Sequence, residues 1–228
     1  MNRSMLLHPV IFLLSLVFSV HAQAQFQDTI FKIQLLQNGR IWSDPHLNVK
    51  GDPYFFSNDF LDGSVTINHH TFESIRIRYD ILNDEIQMPV KEGVLQLNKE
   101  LVDSFTLYFQ NSHHHFINIP SGRYEKLAGY VQVLSPGNPS LIIQYYKKID
   151  RPGIYNVPDY FYQIQRLFVI RKNSVYLIKK KRDFFLVFAD EKSKIRTFMR
   201  DNKVHLKKSQ PESFIPVIRY LNGFPEIR

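Results

Sequence analysis

Histidines are the residues of this sequence whose type and spacing come closest to a metal site. His113, His114 and His115 are consecutive. On a β-strand, successive side chains point to opposite faces, so His113 and His115 share a face and two imidazoles there can bind one metal ion. His69 or His70, at the tip of a predicted hairpin, is a candidate third ligand. Because no HExxH pattern or carboxylate at ligand spacing accompanies them, a polar strand end or turn is the favoured interpretation.

Asp80, Asp84 and Glu85 form the tightest acidic group. Two carboxylates about 5–10 Å apart can serve as the acid and base of a glycosidase. These three flank a turn between two predicted strands, where Asn83-Asp84 is ordinary turn chemistry, so we favour the turn. The sequence has no G-x-S-x-G elbow, phosphate-binding loop or dinucleotide fingerprint. We therefore expect no cofactor and predict no catalytic residue.

Charge is distributed unequally along the chain. Residues 25–146 carry 9 Lys/Arg and 13 Asp/Glu, a net charge of −4, whereas residues 147–228 carry 19 and 8, a net charge of +11. Such asymmetry usually indicates an anionic partner, but a solvated surface that keeps the protein soluble is the favoured explanation. The densest basic run is Lys179-Lys180-Lys181-Arg182, and Tyr160-Phe161-Tyr162 is predicted to be a partner-facing loop in the same half. Because the run lacks interleaved aromatic residues, nucleic acid is not the expected partner.

Residues 1–24 have the features of a secretory signal peptide. Arg3 precedes a mostly apolar stretch from Leu6 to Val20, and Ala22-Gln23-Ala24 supplies a small-x-small cleavage site. The apolar stretch is shorter than the roughly 20 residues that span a bilayer, so we expect no integral membrane segment after cleavage. The chain contains no cysteine, which excludes disulfides. The periplasm or outer surface of a bacterium is the expected location.

Hydrophobic periodicity predicts many short strands. They fall at 29–37, 64–68, 72–79, 85–90, 93–98, 104–110, 114–119, 129–134, 140–147, 161–171 and 174–179, with His69-His70-Thr71 joining the second to the third. The lack of crossover helices predicts antiparallel pairing, as a sandwich or an open barrel-like sheet. Between Trp42 and Gly63 the sequence is typical of a loop whose aromatic residues pack onto the core.

The C-terminal pattern changes to helical spacing. Asp190 is a predicted N-cap for an amphipathic helix, and Ser209 with Glu212 has capping-box spacing before a second helix that contains Pro216. Residues 184–188 fit a strand or a helical turn. The predicted class is α+β, mostly antiparallel β with a C-terminal helical pair. The predicted organisation is a signal peptide at 1–24, a β-rich domain at 25–188, and a helical tail at 189–228 packed on the same domain.

Three stretches resemble a family of secreted proteins of unknown function from Bacteroidota. They are Gly51-x-Pro53-Tyr54 followed by Asn58-Asp59-Phe60 and Gly63; the hairpin segment 77–88; and the tail 194–206 with the short helix that ends at Asn222. The resemblance covers most of the mature chain and implies export, a β-rich body and a helical tail. It favours a helical turn at 184–188 and implies no activity, ligand or catalytic residue. Pro216 departs from the unbroken tail helix usual in that family.

The main functional hypothesis is a non-enzymatic envelope protein that binds or scaffolds an anionic partner through its basic C-terminal half. The partner would be a protein, a glycan or lipid headgroups. The alternative is an envelope glycan or peptide hydrolase, either with a metal held by His113 and His115 or based on carboxylates alone. A carrier with a small-molecule or lipid cavity inside the sheet is a third possibility.

Overall fold

A computed structural model of the chain describes residues 33–223. The predicted signal peptide lies outside the described residues. The chain divides at Gly39 into two units. In the described part of the first unit, residues 33–36 are helical, so the predicted strand at 29–37 is wrong for those residues. Ile33, Leu35 and Leu36 fit a helical turn as well as a strand, and so short an apolar run does not separate the two by periodicity.

Eleven strands of the described chain form one sheet. They are β1 (Gly39–Trp42), β2 (Leu61–Ile67), β3 (His70–Asp80), β4 (Glu85–Val90), β5 (Gly93–Leu97), β6 (Val102–Phe109), β7 (Ser112–Tyr124), β8 (Leu127–Ser135), β9 (Ser140–Asp150), β10 (Tyr160–Arg171) and β11 (Ser174–Leu177). The order across the sheet is β1-β5-β4-β3-β2-β6-β7-β8-β9-β10-β11. The predicted α+β class with a large antiparallel sheet is confirmed, and the strands form a single sheet rather than two.

The tight hairpin turns follow from residues that tolerate positive φ. Asn68 and His69 have φ of 46° and 66°, and Lys172 and Asn173 have φ of 50° and 60°. Two consecutive positive values are typical of the two-residue turns whose twist matches that of paired strands. The β2–β3 turn is therefore Asn68-His69, and the predicted connection at 69–71 is shifted by one residue because β3 already begins at His70.

Three short helices follow the sheet: α1 (Lys181–Val187), α2 (Lys192–Asp201) and α3 (Ile215–Leu221). The helical state of α1 confirms the helical turn favoured at 184–188. Pro216 lies in the first turn of α3, where a missing backbone N–H breaks no helical hydrogen bond. None of the helices within residues 33–223 is long and apolar enough to cross a membrane.

Both predicted helix caps are wrong. Asp190 caps no helix, because Arg171 of β10 donates to both of its carboxylate oxygens, at 3.0 and 2.8 Å. The residue preceding α2 is Glu191, and it makes no side-chain cap. Ser209 also makes no cap. A 3₁₀ turn (Pro211–Phe214) precedes α3, and the residue before that turn is Gln210. A capping pattern depends only on neighbouring residues in the sequence. It therefore does not reveal that Arg171, on a strand of the sheet, binds the Asp190 side chain instead.

The helices pack on one face of β8–β10. Their apolar side chains join those of two strands, Leu141 and Ile143 on β9 and Leu167 and Val169 on β10, in one buried cluster. A second group of buried rings, contributed by Phe55, Tyr79, Phe105, Phe116 and Tyr130, fills the adjoining part of the same unit. Phe105 and Phe116 lie directly opposite each other on β6 and β7 and stack with ring centroids 4.7 Å apart.

Candidate functional site

The predicted basic run lies where β11 ends and α1 begins. Lys179, Lys180, Lys181 and Arg182 are all exposed. The Asp183 carboxylate accepts the backbone N–H groups of Lys179 and Lys180, at 3.0 and 2.8 Å, which fixes the backbone of the run. Arg182 lies 3.8 Å from the same carboxylate, and the three lysine ammonium groups have no acidic partner within residues 33–223. The run therefore presents positive charge on an ordered backbone.

The outer face of α2 extends this positive charge. Ile195, Phe198 and Met199 are buried, whereas Lys192, Lys194 and Arg196 are exposed on the opposite face. The guanidinium of Arg196 lies 5.7 Å above the ring of Phe185 on α1, so at least one cation of α2 lies beside α1. We call these seven exposed cations the basic C-terminal surface: Lys179, Lys180, Lys181, Arg182, Lys192, Lys194 and Arg196.

Tyr160, Phe161 and Tyr162 begin strand β10 and do not form a loop, because Tyr160 pairs with Asp150 and extends the hairpin. Tyr160 and Tyr162 are each 39% exposed, and the Tyr160 hydroxyl donates to Asp150 Oδ2 at 2.6 Å. Phe161 lies on the other face against the ring of His46, 5.8 Å between centroids. The backbone oxygen of Leu167 accepts the N–H of Ile178, which directly precedes the basic run. Leu167 lies five residues beyond Tyr162 on β10, or about 17 Å along the strand. A partner touching both groups must span that distance.

The alternation on β7 places His113 and His115 on one face, as predicted. His113 pairs with Tyr108, their rings 4.8 Å apart, and His115 Nδ1 lies 3.0 Å from Thr106 Oγ1. His69 instead contacts Asp103, five residues away from Tyr108 on β6 and thus about 17 Å along the strand. The described residues contain no group of three or more His, Asp and Glu side chains positioned to hold a metal ion.

The three predicted carboxylates form hydrogen bonds and ion pairs in and around the β3–β4 turn. Asp80 accepts the backbone N–H groups of Leu82 and Asn83 at 2.9 and 3.0 Å. Asp84 forms an ion pair with Lys99 and accepts the Tyr79 hydroxyl at 2.6 Å. Glu85 pairs with Arg40 at 3.4 Å. Each carboxylate therefore stabilises the fold, as the turn interpretation expects.

A cleft that the sequence did not reveal lies among β7, β8, β9, β10, the segment 54–56 and the 3₁₀ turn before α3. Its volume is about 290 Å³. Aromatic rings line one part of it, from Tyr54, Phe55, Phe56 and Tyr145, and polar side chains line the rest, from His114, Gln132, Lys147, Gln163 and Glu212. We call it the His114 cleft. Side chains from one face of four neighbouring strands form it together with two segments that are distant in the sequence.

The segment 52–58 is held rigidly beside the cleft. Lys147 Nζ donates to the backbone oxygens of Asp52 and Tyr54, at 2.8 and 2.7 Å, and to Asp52 Oδ1 at 3.1 Å. On the outer side, Arg78 donates to both oxygens of Asn58, and its guanidinium lies 4.0 Å from the Tyr54 ring centroid. Burial lowers the pKa of Arg78, but it stays a cation at neutral pH. Lys147 is thus fully engaged by the protein.

Three aromatic rings that are tilted by 43° and 46° to one another line part of the cleft, and we call Phe55, Phe56 and Tyr145 the aromatic platform. The Phe55 ring lies 4.7 Å from Tyr145, and Phe56 lies 4.0 Å from Phe55. Phe56 has φ of 69° and is 40% exposed, which leaves part of its ring open to solvent. Its other contacts are a stacked Phe109 and the edge of His114, both 4.6 Å away.

The polar side of the cleft carries one unmatched charge. Burial lowers the pKa of His114, against the opposing effect of the Glu212 carboxylate, so the imidazole is neutral at pH 7. Burial also raises the pKa of Tyr145, which keeps its hydroxyl protonated. Glu212 has no ion pair or side-chain hydrogen bond with any residue of the described range, and neither does the amide of Gln163.

Comparisons with protein-family models, with curated proteins and with solved structures gave no significant match. The resemblance to a secreted Bacteroidota family therefore stays a prediction from the residues.

The sequence carried only a partial signal for the cleft residues. His114 was assigned to the face opposite the metal candidates, and Glu212 was assigned to a helix cap. Tyr145 and Gln163 lie 18 residues apart and come together only through the β9–β10 register, in which Gln163 pairs with Lys147. The predicted strands at 140–147 and 161–171, which contain these two residues, were the one usable indication.

Proposed function

We propose that this protein is an exported, non-enzymatic envelope protein whose basic C-terminal half binds or scaffolds an anionic partner. The observation that carries the proposal is the basic C-terminal surface, seven exposed cations on one ordered strand end and two adjacent helices. Six of the seven cations make no ion pair with any residue of the described range and are available to a partner, and such a field accelerates association with an anionic surface.

Helix stability does not account for these charges. Lys181 and Arg182 occupy the first turn of α1, where the helix dipole disfavours positive charge. The lysine side chains of the run make no ion pair within the described range that would stabilise the fold. The charges therefore contribute little to folding, which supports a role in binding.

The test is a cross-linked pull-down of the untagged mature protein from native envelope at low and high salt. We expect an acidic protein, glycan or anionic lipid to be recovered at low salt and lost at high salt. Reversing the four charges at Lys179–Arg182 to Glu should abolish its recovery, because a repulsive field replaces an attractive one.

The matched control reverses four other exposed cations to Glu, which changes the net charge by the same amount: Lys91, Arg123, Lys126 and Lys148. If recovery depends on the basic C-terminal surface, this control retains the partner. Equal loss in both variants would indicate a response to net charge alone. Recovery that ignores both salt and charge reversal, or no recovery at either salt concentration, would contradict the proposal.

A further inference from the structure

We propose that the His114 cleft is a binding site for a single neutral sugar residue. This inference is independent of the basic C-terminal surface. The cleft volume of about 290 Å³ lies at the lower limit of small-molecule pockets, about 300–1,000 Å³. A hexose ring fits such a volume, whereas a lipid acyl chain needs a longer cavity.

The aromatic platform matches the apolar side of a sugar ring. Phe55 is only 4% exposed and supports both Phe56 and Tyr145, and Phe116 packs against Phe55 with ring centroids 5.3 Å apart. Aromatic faces carry negative partial charge. The C–H groups on one face of a pyranose are weakly positive and apolar, so they pack against such a platform. The platform is rigid because Lys147 and the strand ladder fix its backbone.

The polar groups around the platform match sugar hydroxyls. Gln163 offers an amide that donates and accepts, and Glu212 offers a carboxylate that accepts. The amide nitrogen of Gln132 lies 3.0 Å from His114 Nδ1. Because an amide nitrogen only donates, His114 Nδ1 accepts this hydrogen bond and His114 Nε2 carries the ring proton. A hydroxyl donates and accepts, so it can pair with each of these groups.

The charge of the cleft selects against anionic sugars. Lys147 pairs with Asp52, which leaves Glu212 as the unmatched charge among the lining residues. A carboxylate or phosphate on the ligand would be repelled by Glu212 and would find no free cation. An organic ammonium ion is the competing ligand, but the rings contact one another on one side of the cleft instead of surrounding a cation.

The first experiment measures binding to the purified protein by ligand-observed saturation-transfer NMR. The probes are methyl glucoside, methyl galactoside, methyl mannoside and N-acetylglucosamine, with glucuronate and choline as charged comparisons. Each is present at about 10 mM, which detects millimolar dissociation constants. We expect at least one neutral sugar to bind more tightly than glucuronate and choline. Tighter binding of glucuronate or choline, or no binding of any probe, would overturn the proposal.

The second experiment locates the site by calorimetry with the best sugar. Gln163→Ala and Glu212→Gln should each weaken binding by about tenfold, because each removes a hydrogen bond to the ligand. Neither side chain has an internal partner in the described chain, so both variants should fold, which a thermal melt checks. Gln165→Ala, the same change two residues along β10 and outside the cleft, is the matched control, and Glu125→Gln controls for lost charge. Equal weakening by the cleft and control variants would overturn the assignment.

Discussion

His114 shows how one residue's environment decides what it can do. Its neighbours on β7 point to the outer face, whereas its own ring packs against Phe56 and Phe55, with centroids 4.6 and 6.1 Å away. This packing disfavours the charged imidazolium, and Gln132 holds Nδ1 as an acceptor. Of three consecutive histidines, this one acquires a fixed orientation beside a cavity.

We expect His114 to make the fold sensitive to mild acid. Its pKa in the folded protein lies below the ordinary value of about 6.5 in the unfolded chain, so the unfolded chain takes up a proton first as the pH falls. The free energy of unfolding should therefore decrease below about pH 6.5, by at most about 1.4 kcal/mol per pH unit for one proton. His114→Gln should reduce this dependence, measured by denaturant unfolding at pH 7.5 and 5.5.

The control for this prediction is His113→Gln. His113 lies exposed on the outer face of the same strand, and its positive charge slightly lowers the pKa of His114, whereas the Glu212 carboxylate raises it. The control should retain most of the wild-type pH dependence. Identical pH dependence in the wild type and His114→Gln would show that burial of this ring does not affect stability.

At the scale of elements, the β3–β4 turn is fixed to β8 by one carboxylate. Asp84 has φ of 59° and reaches Lys99, the Tyr79 hydroxyl and the backbone N–H of Tyr130. Gly129 lies beneath this carboxylate with φ of 85°, and a Cβ at Gly129 would overlap the carboxylate of Asp84. The close approach of turn and strand therefore requires glycine at this position.

Gly129→Ala should lower the free energy of unfolding by about 3–5 kcal/mol, because backbone strain adds to displacement of the Asp84 ion pair. Gly122→Ala is the matched control: Gly122 has nearly the same φ, 87°, but nothing within 4 Å of its added Cβ. It should cost only the strain, about 1–2 kcal/mol. Denaturant unfolding of both variants measures the difference, and equal costs would show that the Asp84 contact contributes nothing.

At the scale of the whole molecule, the two candidate binding sites depend on different interactions with their ligands. The basic C-terminal surface acts through exposed charge, which salt screens. The His114 cleft acts through packing and hydrogen bonds around neutral groups, and its one unmatched charge has no opposite charge on the proposed ligand. The two sites should therefore respond differently to ionic strength.

Raising NaCl from about 0.1 to about 1 M shortens the Debye length from about 10 to about 3 Å. The affinity for the anionic partner should fall by about tenfold or more, whereas the affinity for the neutral sugar should change by less than about twofold. Titration of each ligand across this range measures both. If the two affinities fell together, the sites would not be independent.

Several elements were predictable because their signals are local. The predicted strand at 72–79 located β3, and the predicted strands at 161–171 and 174–179 located the turn between them, since both signals depend only on neighbouring residues. Asp190 and Ser209 were assigned wrongly because their real environment is set by tertiary contacts: Arg171 on β10 takes the Asp190 carboxylate, and a 3₁₀ turn replaces the expected cap at Ser209.

The sequence by itself determined the antiparallel α+β class, the positions of most strands and the concentration of positive charge in the C-terminal half. Each of these depends on residue type and short-range periodicity. Only the tertiary structure decided which histidine faces a cavity, and that Glu212 lies beside Gln163 and Tyr145. Those contacts depend on strand register and on where the C-terminal segment packs against the sheet, and both are set by side-chain packing between residues far apart in the chain.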